Sequence, residues 1–161
     1  MGDVMTTFIR PMNDDDLAVV LALEQANQPA PWTDGIFRDE LAADNRIYLA
    51  ADEGGVVGFG GIMVVGDEAH MTNLLVAPEA RQRGIGLALM LGLIDAAIEV
   101  GVSHLTLEVR TQNREARSLY ARLGLAPVGI RKGYYGDDDA LILSAHDIDS
   151  AEYQSRLERL R

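Results

Sequence analysis

The chain has 161 residues, 48% of them hydrophobic and 24% charged, which suits one globular domain with a sizeable core. It has no cysteine and no apolar run of about 18 residues or more, which excludes disulfides, thiolate metal sites, a cysteine nucleophile and a membrane-spanning helix. Net charge is -11, with 13 acids and 3 bases in residues 1–70 against 12 and 11 in residues 71–161. That balance argues against a nucleic-acid binder and favours a cationic partner for the first half and an anion for the second.

The opening MGDVMTTFIR lacks a basic region followed by a long apolar one, so no export signal is expected and the cytoplasm is the default compartment. TTFIRPM predicts a short strand that Pro11 helps to end. NDDDLAVVLALEQAN predicts a helix, with Asn13 or Asp14 as N-cap, acids in the first turn and apolar residues at helical spacing. Pro29 and Pro31 break it, and TDGIFRDELAAD predicts a second helix capped by Thr33. The stretch from Arg46 to Pro78 predicts three strands joined at Gly54-Gly55 and Gly66-Asp67, an antiparallel meander. A helical pattern runs from Gly84 to Val100 and closes at Gly101.

VSHLTLEV then alternates, with Val102, Leu105, Leu107 and Val109 apolar and His104, Thr106 and Glu108 on the opposite face. Asn113 can cap a helix through Leu123, closed by Gly124. Two further strands, about 125–131 and 139–145, flank the loop KGYYGDDD, and DSAEYQSRLERL predicts a last helix. There is no internal repeat. The expectation is one domain over residues 1–161, its core about 6–146 with a tail at 147–161, built on a mixed α/β sheet whose second half is partly parallel.

RQRGIG, residues 81–86, opens the third predicted helix. Gly84 and Gly86 let backbone N–H groups come close to a ligand, and the first N–H groups of a helix have no partners within it. With the helix dipole and the charges of Arg81 and Arg83, the segment suits a pyrophosphate. Neither a P-loop nor a dinucleotide fingerprint is present. Alone, the hexapeptide also suits a tight turn with a solvated basic rim.

Its setting is more specific. LLVAPEARQRGIGLALM resembles the acetyl-CoA motif of the GNAT superfamily of N-acetyltransferases, [QR]-x-x-G-x-[GA] after a strand. The resemblance implies a GNAT-like fold, a mixed and largely antiparallel central sheet flanked by helices. It assigns the pyrophosphate of acetyl-CoA to Gln82, Arg83, Gly84, Ile85, Gly86 and Leu87, and the pantetheine arm to the backbone of Leu74, Leu75 and Val76. PWTDGIFRDEL, LEVRTQNREARSLYARLGL and IRKGYYGDDDALIL look like the RimI type of that superfamily, and the similarity runs from about residue 8 to about 145. Members of that type acetylate the N-terminal alanine of a small-subunit ribosomal protein.

An amine attacking a thioester must lose a proton, the carbonyl oxygen needs donors, and the departing thiolate must be protonated. By resemblance, Glu108 is the general base; an ion pair with Arg110 or Arg114 is the alternative from the residues alone. Tyr120 reads from its spacing as a core residue with a satisfied hydroxyl, and the resemblance makes it the general acid for the CoA sulfur. Asn113 reads as a simple N-cap, while the matching asparagine of the family contacts the CoA arm. The resemblance also implies that Arg131, Tyr134 and Tyr135 shape the acceptor groove and that Trp32 starts its other wall. His70 is a second candidate base. No metal-ligand spacing and no serine-nucleophile elbow is present.

The implied reaction moves acetyl from acetyl-CoA to the N-terminal α-amine of a ribosomal or similar basic protein, by direct attack in a ternary complex. Acetylation of a lysine side chain, a polyamine or an aminoglycoside is the alternative, and a non-catalytic acyl-CoA sensor a third. The chain departs from the family pattern at Leu125, where Gly-Phe is commoner than Gly-Leu, and in its tail. It departs again at Asp137–Asp139, a run that points to more basic acceptors.

Overall fold

The structure is a computed structural model describing residues 6–161, so the first five residues of the stretch read for an export signal lie outside it. Its elements are β1 (Phe8–Pro11), α1 (Leu17–Asn27), α2 (Asp34–Ala42), β2 (Arg46–Asp52), β3 (Val56–Val65), β4 (Glu68–Val76) and α3 (Ile85–Glu99). β5 (His104–Arg110), α4 (Arg114–Arg122), β6 (Ala126–Arg131), β7 (Ala140–His146) and α5 (Ala151–Glu158) follow. Seven strands form a sheet of order β1-β2-β3-β4-β5-β7-β6. The pairs β1–β2, β2–β3, β5–β7 and β6–β7 are antiparallel and β4–β5 is parallel. This is the mixed, largely antiparallel sheet that the resemblance implies. The crossover through α3 makes parallel neighbours, as such connections favour; the one through α4 does not, because β7 lies between β5 and β6.

The described residues divide into two compact units, residues 6–63 with 72–93 and residues 64–71 with 94–161. In the first, Asn13 rather than Asp14 is the cap. Its side chain accepts from the Asp15 N–H while the Asp16 carboxylate accepts from the Asn13 N–H, and a 3-10 turn at Asp14–Asp16 leads into α1. Arg10 grips the buried Asp16 at 2.8 and 2.9 Å. Thr33 caps α2 through the Ile36 N–H. The core joins Val20, Phe37, Tyr48 and Phe59, with Phe37 edge-on to Phe59 at 5.8 Å. Gly61 is required there: a Cβ would stand 2.1 Å from the Tyr48 ring, whose hydroxyl reaches Glu40 and Thr72 at 2.7 and 2.8 Å.

In the second unit, β5 buries Leu105, Leu107 and Val109 and leaves His104, Thr106, Glu108 and Arg110 half-exposed, the alternation read from the sequence. The tail is part of this unit. Ser150 caps α5, Tyr153 and Leu157 are buried, and the Tyr153 hydroxyl donates to the Leu123 carbonyl at 2.6 Å. Arg161 closes the end on Asp95 at 2.8 Å. Among the described residues no helix is long and apolar enough to cross a membrane.

Candidate active site

The residues expected to hold acetyl-CoA fall mainly in the first unit. Leu75 is buried within β4, and Leu74 and Val76 are half-buried. Glycines on β3 make room for this segment: a Cβ at Gly58 would stand 3.0 Å from the Leu75 carbonyl, and one at Gly60 3.0 Å from the Leu74 side chain. The Ala77 N–H then bonds the Val57 carbonyl at 2.8 Å and steers the chain into the loop. Gln82 and Gly84 take left-handed φ values of 62° and 80°. A Cβ at Gly84 would meet nothing within 4 Å, so its backbone angle, not crowding, calls for glycine, and the space over the loop is open.

Gly84 accepts the first helical bond of α3, from the Ala88 N–H at 3.0 Å. The N–H groups of Ile85, Gly86 and Leu87 precede that bond and have no partner within the helix, so the loop and helix start fit a pyrophosphate. The arginines are less free than the sequence suggests. Arg83 pairs with Glu53, whose carboxyl Thr7 and Arg83 hold below the usual carboxylate range, and Arg81 donates to the Val76 carbonyl at 3.1 Å. Arg83 is thus paired with a carboxylate, while Arg81, among the described residues, keeps an uncompensated charge beside the loop.

The candidate catalytic residues belong to the second unit. Glu108 is two residues beyond Thr106, which is the register partner of His70, and its side chain is 12% exposed. Both of its oxygens are engaged: Oε2 lies 2.8 Å from His70 Nε2 and Oε1 lies 3.6 Å from Arg131 Nε. The alternative ion pair with Arg110 or Arg114 is not the one formed. Arg110 instead bonds Asp137 at 2.6 Å and stacks 4.3 Å from the centre of the Tyr135 ring. His70, the third residue of β4, is joined to Glu108 by this contact, so the two candidate bases form one pair.

Tyr120 is 4% exposed on α4, and its hydroxyl donates to Met71 Sδ at 4.0 Å. Burial, with a smaller contribution from Tyr135, raises the phenol above its usual range and keeps it protonated. A thioether is a weak acceptor, so this proton can turn to a stronger one at little cost. The Asn113 side-chain oxygen caps α4 through the Ala116 N–H at 3.1 Å, and its amide nitrogen makes no hydrogen bond among the described residues.

Tyr134 and Tyr135 meet edge-on at 5.0 Å, Tyr134 being 53% exposed, and Arg131 lies 5.8 Å from the centre of the Tyr134 ring. The three aspartates after them do not form a free acidic rim. Asp137 is held by Arg110, Asp138 by the Thr111 hydroxyl and the Gln112 N–H, and Asp139 by the Gly133 N–H and Lys132, each below the usual carboxylate range. The run fastens its loop to the end of β5, which removes the local reason for a more basic acceptor.

Trp32, in the first unit, is half-buried against Phe37 at 5.3 Å. Its backbone N–H donates at 3.0 Å to Oε2 of Glu24, whose Oε1 accepts from Asn73 at 3.1 Å. Glu24 is 2% exposed and was missed by the sequence reading; its signal was a lone acid within the apolar run LAVVLALEQAN. No group of three or more potential metal ligands occurs among the described residues.

The sequence profile of the Acetyltransferase (GNAT) family matches residues 17–125. The chain belongs to that family. A [ribosomal protein bS18]-alanine N-acetyltransferase of Escherichia coli is 33% identical over 84% of this GNAT chain and 95% of its own. The N-alpha-acetyltransferase RimI of Mycobacterium tuberculosis is 39% identical over 65% of this chain and 68% of its own. Among solved structures, the ribosomal-protein-S18-alanine N-acetyltransferase from Escherichia coli superposes with a TM-score of 0.81 at 31% identity, over 88% of this chain and 94% of that one. Arabidopsis thaliana NAA60 in complex with acetyl-CoA shares the fold, with a TM-score of 0.82 at 21% identity over 90% and 100% of the two chains.

Proposed function

We propose that this GNAT chain transfers acetyl from acetyl-CoA to the N-terminal α-amine of a protein, with the N-terminal alanine of a small-subunit ribosomal protein as acceptor. What carries the reading is the likeness to the Escherichia coli alanine N-acetyltransferase, which spans 84% of this chain. The reading takes residues 1–161 as one acetyltransferase domain, core 6–146 and tail 147–161, working in the cytoplasm where such an acceptor is made.

In this mechanism the α3 N-terminus and the loop Gln82–Leu87 bind the pyrophosphate, the Leu74–Val76 backbone and Asn113 hold the pantetheine arm, and acetyl-CoA supplies a thioester as acyl donor. The acceptor amine, titrating near pH 8, needs only a modest base. Glu108 takes its proton. Tyr120, kept protonated by burial, delivers a proton to the departing thiolate. Trp32, Arg131, Tyr134 and Tyr135 line the acceptor's path in this reading.

The test is a panel of peptides differing at the first residue, incubated with acetyl-CoA and followed by release of free thiol. An alanine-led peptide should turn over fastest. Faster turnover of an N-acetyl-blocked, lysine-containing peptide or of a polyamine would overturn the N-terminal assignment, and binding without turnover on any amine would make the chain a sensor.

A further inference from the structure

Glu108 is bracketed, not free. His70 from β4 holds Oε2 at hydrogen-bond distance, while Arg131 from β6 stands off Oε1 at the looser 3.6 Å. A carboxylate can only accept, so the 2.8 Å contact requires a hydrogen on His70 Nε2. The two contacts differ in kind. One is a directed hydrogen bond between neighbouring strands, and the other is a long ion pair from a side chain that is 57% exposed.

We propose that His70 is the positioning residue for the base: it fixes the Glu108 carboxylate through Oε2 and leaves Oε1 to take the amine's proton, Arg131 being the cation that the acceptor's ammonium displaces. The inference rests on the acetyltransferase reading above. In the step itself the ammonium first gives one proton to solvent. The neutral amine nitrogen then attacks the thioester carbonyl, its N–H bond breaks with that proton ending on Glu108 Oε1, and the C–S bond breaks with the departing thiolate taking the Tyr120 proton. The His70 proton stays on Nε2 throughout.

A consequence separates this role from mere packing. The neutral imidazole donates without adding charge. The imidazolium formed at lower pH donates the same hydrogen but adds a positive charge beside the carboxylate, which makes Glu108 a poorer base. The other groups near Glu108 cannot supply that change. The cations there, Arg131 and Arg110 behind Tyr135, are guanidiniums, a group that does not lose its proton in proteins, and burial pushes the Tyr135 phenol up.

The experiment compares the full-length protein, free of any histidine tag, with His70→Ala, His70→Gln and Arg131→Gln on an alanine-led peptide between about pH 5.5 and 8.5. Acetyl-CoA affinity is measured for each to certify the fold. His70→Ala should lower kcat about 30-fold. His70→Gln keeps an N–H donor that cannot titrate, so it should regain about tenfold of that loss at pH 8. Its rate relative to the parent should then rise about fivefold toward the acid end of the range, where the parent alone can gain a proton on the ring. Taking the ratio cancels the titration of the amine itself. Arg131→Gln should lower the peptide KM with kcat little raised.

A parent-to-Gln ratio flat across pH would overturn the proposal, as would a His70→Ala kcat equal to the parent's. If the parent itself turns over no amine, the functional reading fails instead, and the two failures are told apart.

Discussion

At the scale of single residues, the two candidate proton-transfer groups should fail in different ways. Glu108→Gln keeps size and hydrogen bonding but cannot take a proton, so kcat should fall about 10²-fold with acetyl-CoA affinity unchanged. That loss should shrink as pH rises, because more of the amine is then already neutral. Tyr120→Phe keeps a buried ring in place but removes the proton donor, so its defect should persist at high pH. It should be smaller with an acyl donor whose thiol is more acidic. Steady-state kinetics across pH with two donors decides both. Asp16 allows a different test, of stability. The Arg10 hydrogen bonds hold its carboxyl below the usual range. Such a group adds stability that is complete above its unfolded value, near pH 4, and is lost as pH falls through the folded value. Asp16→Asn should cost about 1–3 kcal/mol at pH 7, and its gap to the parent should close on acidification, as read by denaturant unfolding.

Among the elements, the start of α3 and the end of α1 each allow a test. Gly86→Val puts a branched side chain where helix N–H groups face outward. It should weaken acetyl-CoA binding at least tenfold in a folded protein, and unchanged affinity in calorimetry would remove the cradle reading. Glu24 ties α1 to Trp32 and Asn73. Glu24→Ala leaves both donors without their acceptor and should cost about 2–4 kcal/mol of unfolding free energy, whereas Glu24→Gln should cost about half as much. The caps were legible because they are local: Thr33 and Asn113 each bond an N–H three residues on. The Glu24 contact was not, because it joins residues 49 apart to a strand.

For the whole molecule, the charge of the chain bears on the acceptor. With Asp137–Asp139 engaged in their own loop, the case for a basic acceptor rests on the 13 acids and 3 bases of residues 1–70. KM for a lysine-rich, alanine-led peptide should rise as salt goes from about 50 to 500 mM while kcat holds, since exposed charges are screened over about 8–10 Å at ordinary ionic strength. A KM indifferent to salt would mean that shape, not charge, selects the acceptor. The tail also acts at this scale, with buried Tyr153 and Leu157 making α5 part of its unit.

By itself the sequence determined the order of elements, the caps at Thr33 and Asn113 and the turn glycines, because each depends on spacing and backbone angles within a few residues. The GNAT resemblance of RQRGIG and its flanks carried the fold further, to the largely antiparallel sheet. Only the tertiary structure decided the neighbours of Glu108. From composition, Arg110 and Arg114 were its nearest cations in the chain, yet the β4–β5 register brings His70 to one oxygen, and β7 between β5 and β6 leaves Arg131 to approach the other. Arg110, on the same strand face, is taken by Asp137 and Tyr135 instead. Strand order and register pair side chains remote in the chain, and no local propensity encodes them.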